Sequence, residues 1–162
     1  MIGTVELRPL RRGETEPVRA VFDGMSADAR ARRYLTGMPR LPASWLAALA
    51  DVDGDHHVAW LAEVDGRAVG LARYVVVAPE VVEIALEVVD DYQGLGIGTL
   101  LVDALTTTAV ARGIRRVRAT LLPDNEPSRR LVTRIGVRLS LTDGLLEGEG
   151  PLRGPVLSTA LG

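Results

Sequence analysis

The chain has 162 residues, of which 47% are hydrophobic and 25% charged, with 19 Lys+Arg against 21 Asp+Glu. That length suits one domain, which buries about 68–70% of the surface its unfolded chain exposes and needs no metal or disulfide to hold it. Without cysteine there is no disulfide, thiol nucleophile or Cys-ligated metal, and a net charge of −2 argues against nucleic acid, which calls for a basic face.

The amino-terminal MIGTVELRPL lacks the basic and apolar regions of a signal peptide, and residues 4–10 alternate as a first strand ending near Pro9. From Gly13 to Tyr34 the residues Val18, Val21, Phe22 and Met25 recur at helical spacing, and Gly24 and Ser26 split the stretch into two helices. Arg30, Arg32 and Arg33 read as a solvated helix face. After a Gly/Pro-punctuated loop, Pro42–Ala50 forms a short helix, with Trp45 assigned to the core. The adjacent His56 and His57 are the only imidazoles, too few for a histidine-built metal site, and read as a solvated loop pair.

His57–Val64, Ala68–Val77 and Val81–Val89 are strand-like and joined by the turns Asp65-Gly66 and Ala78-Pro79, which predicts an antiparallel meander. Trp60, within the first of these, is placed in the core. The loop DDYQGLGIG leads into a helix over Thr99–Arg112 that ends at Gly113. Arg116–Leu122 is a further strand, Asn125–Ile135 a helix that stops at Gly136, and 137–162 one or two short strands. No apolar run approaches the roughly 18–20 residues of a membrane helix, so a soluble, cytoplasmic protein with no membrane partner is expected. One mixed α/β domain over residues 1–162 accounts for the pattern.

Gln93-Gly94-Leu95-Gly96-Ile97-Gly98-Thr99 carries the most information, because it leaves a strand and opens a helix. A helix amino terminus has unpaired N–H groups and partial positive charge, and glycines let an anion approach successive amides. Three phosphate-binding patterns compete. A Walker loop needs a lysine, and every cation here is Arg. The dinucleotide fingerprint fails from Gly94, with Thr99 at its sixth place, and from Gly96, with Leu101 there. Gln/Arg-x-x-Gly-x-Gly/Ala is filled by Gln93, Gly96 and Gly98.

The run EIALEVVDDYQGLGIGTLLVDAL resembles the acetyl-CoA-binding core of the GNAT superfamily of N-acetyltransferases. Asn125-Glu-Pro-Ser128-Arg-Arg-Leu131 through Gly136 resembles a second block of that family, and the order of elements fits as well. The stretch is also similar to the acetyltransferase domain of bacterial enzymes that acetylate, and so switch off, acyl-CoA synthetases. The resemblance implies a GNAT fold: a mostly antiparallel central sheet, splayed where two parallel strands diverge and flanked by helices.

It further implies acetyl-CoA as co-substrate, no metal, and a primary amine of a protein lysine or small molecule as acceptor, attacked directly in a ternary complex. The amides of Gln93, Gly94, Leu95, Gly96, Ile97, Gly98 and Thr99 would take the pyrophosphate. The backbone of Glu87, Val88 and Val89 would pair with the pantetheine arm, the Glu87 amide polarising the thioester carbonyl. Asn125 and Ser128 would meet the arm from the second helix, and Arg129 or Arg130 is placed to reach a CoA phosphate. A free amine with pKa about 10.4 needs a base at neutral pH. Glu83 is the candidate, since alternation puts 83, 85 and 87 on one face, and the family has a glutamate there; Glu87 is the rival. The family's thiolate-protonating tyrosine falls at Val132, which leaves that role to water or to Tyr34, Tyr74 or Tyr92 and is consistent with the alternative of a non-catalytic acyl-CoA sensor. The region after Gly136 often forms the acceptor pocket or a homodimer contact in such enzymes.

Overall fold

A computed structural model of the chain describes residues 3–155. A seven-stranded sheet runs β1 (Val5–Pro9), β2 (His57–Val64), β3 (Arg67–Ala78), β4 (Val81–Val88), β5 (Arg116–Leu121), β7 (Leu145–Pro151), β6 (Arg138–Thr142). Every neighbouring pair is antiparallel except β4–β5, which is parallel. The anticipated meander is therefore β2–β3–β4. The expectation for the chain end resolves into β6 and β7, while residues 156–162 lie outside the described residues.

Both faces of the sheet are covered. On one lies α4 (Ile97–Ala111), whose Ile97, Leu101, Leu105 and Ala109 recur every fourth residue and pack on Ala62, Ala72, Tyr74, Val82 and Ile84. Full burial of one such Leu contributes about 1.5–3 kcal/mol. On the other lie α1 (Thr15–Asp23) and α3 (Ala43–Ala50), with Val18, Val21, Leu46 and Ala50 packed over Ala59, Leu61 and Leu71. The helix α2 (Ala27–Tyr34) starts at Ser26, whose hydroxyl accepts from the Ala29 amide at 3.1 Å. The shorter α5 (Glu126–Arg134) crosses near the start of α4. Trp45 is corrected: it is 45% exposed on α3, edge-on to Tyr34. Trp60 is half-buried, its indole N–H donating to Thr108 at 3.0 Å.

The parallel β4–β5 ladder is short. It joins Val81, Val82 and Glu83 to Arg116, Val117 and Arg118, and then stops. Beyond it, Ala119–Leu121 of β5 remain paired on their outer edge with β7, and Ile84–Val88 of β4 on theirs with β3. Each strand follows its antiparallel partner, so the two part company.

The outer partner of β5 depends on glycines. A Cβ on Gly150 would lie 1.7 Å from the Gly136 carbonyl oxygen, and one on Gly148 1.8 Å from that of Arg138. These are backbone atoms of the neighbouring segment and have no rotamer to move. Gly150→Ala is therefore expected to lose more than about 2 kcal/mol. Gly37→Ala, where nothing lies within 4 Å of the new methyl, should stay within about 0.5 kcal/mol. Urea denaturation followed by circular dichroism measures both.

Candidate active site

After β4 the chain makes a single 3₁₀ turn, Asp90–Tyr92, and then the glycine loop. Gly94 and Gly96 stand at φ +75° and +85°, with no atom within 4 Å of where a Cβ would sit. Gly96 is the N-cap of α4, which therefore begins at Ile97, two residues earlier than expected, and no side chain caps it. The first amides of a fifteen-residue helix are thus left free beside open space. The amino terminus of α5 differs, since Asn125 Oδ1 accepts from the Ser128 amide at 3.4 Å.

The loop opens onto a cleft of about 440 Å³ that continues along β4 and is walled by α2 and α5. Antiparallel alternation decides which backbone groups face the parting strands. The Val89 amide donates to the Val69 carbonyl at 2.9 Å, and with β3–β4 in unbroken register from Gly70↔Val88 through Leu71↔Glu87, Glu87 also turns its amide to β3. The amides of Leu86 and Val88 then face the gap, and the Val88 carbonyl accepts there from Gln93 Nε2 at 3.2 Å. This corrects the expectation for the Glu87 amide, which belongs to the sheet; Leu86 and Val88 offer the free donors.

The Glu87 side chain points to the opposite face from α4 and is 2% exposed. Its Oε1 lies 3.2 Å from Arg33 Nε and 3.7 Å from Arg73 Nε, and its Oε2 accepts from the Tyr34 hydroxyl at 3.4 Å. Burial, then the Glu87 charge, pushes the Tyr34 phenol up, so it stays protonated and donates. Arg73 is 3% exposed and directs Nη1 to the Leu49 carbonyl at 2.7 Å and to His57 Nε2 at 2.9 Å. A guanidinium cannot accept, so Nε2 is the unprotonated nitrogen and His57 is neutral. Burial and the neighbouring Arg73 both lower its pKa.

Most of the expected binding residues converge on this cleft. Glu87, Val88, Gln93, Gly94, Gly96, Ile97, Gly98, Thr99, Asn125 and Ser128 line it, whereas Glu83, Val89 and Leu95 do not. Val89 packs against the α1–α3 face, and Leu95 is 46% exposed. Glu83 is exposed at the last rung of the parallel ladder, opposite Arg118. Among the described residues its carboxylate makes no hydrogen bond or ion pair. Arg130 lines the cleft, 3.6 Å from Glu126, and Arg129 does not.

Two expectations are corrected. Arg33 is no solvated helix charge, its side chain being 14% exposed against Glu87. His57 opens β2 and holds Arg73, while His56 stays exposed beside Asp53 and Asp55. Sequence reasoning missed Arg73 altogether, although an Arg in mid-strand among the apolar residues of β3 was the signal. Val132 is buried in the core at 6% exposure, whereas Tyr92 lines the cleft.

Residues 20–137 match the model of the acetyltransferase (GNAT) family. Acetyltransferase PA5475 of Pseudomonas aeruginosa is 32% identical over 137 residues, 82% of this chain and 74% of that protein. Acetyltransferase Pat of Mycolicibacterium smegmatis is 31% identical over 134 residues, 80% of this chain, and the chain spans only 40% of that longer protein. The crystal structure of the GNAT domain of S. lividans PAT superimposes with a TM-score of 0.83 at 26% identity, covering 93% of this chain and 92% of that one.

The neutral His57 has a pH consequence. Its folded pKa lies below the ordinary value near 6.5, so the unfolded chain binds the proton first. The stability it contributes is present above about pH 6.5 and is lost as pH falls below it. His57→Gln keeps an acceptor for Arg73 without the titration. Its urea midpoint is expected to fall less than that of the wild type between pH 7.5 and 5.5.

Proposed function

The chain belongs to the GNAT family of acetyltransferases, and we propose that it moves an acetyl group from acetyl-CoA to a primary amine, on a protein lysine or a small molecule. Residues 1–162 are read as one such unit. The observation that carries the reading is the union of a parted β4–β5 pair with an uncapped, glycine-opened helix terminus at its wide end.

A pyrophosphate fits the loop because Gly94 and Gly96 present amides with no side chain in the way. The Leu86 and Val88 amides are positioned for the pantetheine arm and the thioester carbonyl, and donors of this kind are worth about 10²–10³ in rate. Asn125 and Ser128 close the other wall. Glu83 stands where the ladder ends, on the face of β4 shared with Glu87. There it takes one proton from the ammonium; the amine nitrogen then bonds to the carbonyl carbon as the C–S bond breaks, and CoA leaves as thiolate and takes up the second proton that the nitrogen sheds. Direct attack in a ternary complex needs no nucleophile on the protein, in keeping with a chain that has no cysteine.

The second reading is an acyl-CoA sensor without turnover, favoured by Val132 in the core where the family's tyrosine would stand. Two variants separate the readings. Gly96→Glu puts a side chain at φ +85° and a negative charge at the helix terminus, and is expected to abolish acetyl-CoA binding in calorimetry. Glu83→Gln should keep that affinity and lose about 10²–10⁴ in kcat/KM at pH 7. Its rate should recover about tenfold per pH unit toward pH 10, as the amine loses its own proton. Acetyl-CoA binding with no turnover of any amine by the wild type would establish the sensor.

A further inference from the structure

The cluster around Glu87 does not balance its charge. Arg33 and Arg73 bring two guanidinium groups to one carboxylate, while Tyr34 is protonated and His57 neutral. Among the described residues, Glu87 is the carboxylate in ion-pair range of Arg73. One positive charge is left over in a place where Arg73 is 3% and Glu87 2% exposed. The polar atoms tell the same story, because Arg33 Nε, Arg73 Nε and Nη2 and Glu87 Oε1 all lack a hydrogen-bond partner. The distances to Glu87 are those of ion pairs without hydrogen-bond geometry. Buried donors and charges are costly to leave unmatched, and perturbed ionisable groups beside a cleft are a signature of functional sites.

This surplus does not serve the CoA phosphates. The phosphate cradle lies on the α4 side, past the 3₁₀ turn, whereas the Glu87 side chain projects from the other face of β4, which it shares with Glu83. Arg33 and Glu87 both line the cleft. A single leftover charge matches a monoanion, and Glu87 repels a dianionic phosphate. A planar carboxylate also suits the two-pronged guanidinium.

We propose that Arg33, at the cleft wall, with Arg73 adding its charge from behind the cleft lining and Glu87 as their internal counter-ion, forms a carboxylate-recognition subsite that binds a reactant in the cleft. This rests on the acetyltransferase reading above. The carboxylate has two sources: an acceptor bearing it beside its amine, as an amino acid does, or an acyl chain ending in one.

Two panels distinguish them. The first pairs each of the common L-amino acids with its carboxamide, using acetyl-CoA as donor. The second compares acetyl-, malonyl- and succinyl-CoA with one uncharged-tail amine. The wild type is expected to favour the carboxylated member of one panel by at least about tenfold in kcat/KM, since a site with buried unmatched donors rejects an analogue that leaves them empty. Which panel shows it names the source. Arg33→Met should reduce the preference to about twofold or less, and Glu87→Gln, which removes the counter-ion, should widen it. Equal turnover of acids and amides together with equal use of the three donors overturns the assignment. So does silence of every carboxylated member while calorimetry shows acetyl-CoA bound. Failure of the wild type to bind acetyl-CoA is a different result, and defeats the reading on which the subsite rests.

Discussion

Three residue pairs hold β4 to β5, and the structure is organised by the fact that there are only three. A parallel ladder carried further would have closed the gap and buried the Leu86 and Val88 amides in the sheet. It stops because each strand has a stronger allegiance elsewhere: β4 pairs with β3 along its length, and β5 with β7 from Arg116 to Leu121. The cleft is thus a conflict between antiparallel commitments. It survives because both outer partners are fixed by packing, β3 between two cores and β7 by close contact through Gly148 and Gly150.

The same conflict explains where charge is tolerated. Side chains of Ile84, Leu86 and Val88 join the α4 core, so the other face of β4 is left to Glu83, Ala85 and Glu87. The α1–α3 core covers that face over Ala59, Leu61 and Leu71 and meets the end of β4 at Val89. Beyond its edge Arg73 and Glu87 are roofed by α2 through Arg33 and Tyr34. Buried ion pairs of this sort rarely add stability over apolar packing. Their presence here is better accounted for by what enters the cleft than by what holds the sheet.

Local patterns were legible and distant pairings were not. The bounds of β2 read correctly from a strand-like run ended by a turn, and Asp65-Gly66 announced its hairpin, with φ +51° and +78° in the structure. Asp143-Gly144 makes an identical signal at φ +51° and +82°, yet weak alternation around it hid the β6–β7 hairpin. In the site, the loop was readable because its constraint is local: an anion, a helix terminus, glycines. Arg33, Arg73 and Glu87 are separated by 40 and 14 positions, and nothing in their spacing says that they meet. A basic helix face looks the same whether it meets water or a buried carboxylate. The direction of the Glu87 amide was hidden too. It depends on pairing with β3, and that register shifts between Val76 and Ala78.

Even within the readable loop, the glycines answer to two separate demands. Gly94 and Gly96 are there for conformation, since both have positive φ and empty space where a Cβ would be. Gly98 is helical, and its constraint is contact: a Cβ would lie 3.2 Å from Leu131 Cδ1 and 3.3 Å from Leu86 Cδ2. There α4 packs against both α5 and β4. The first pair leaves the amides unobstructed; the third lets the helix that carries them seat against the parted strand. A sequence motif with regular spacing is, in three dimensions, a turn requirement joined to a packing requirement. Their coincidence at one helix start sets the glycine loop at the mouth of the cleft.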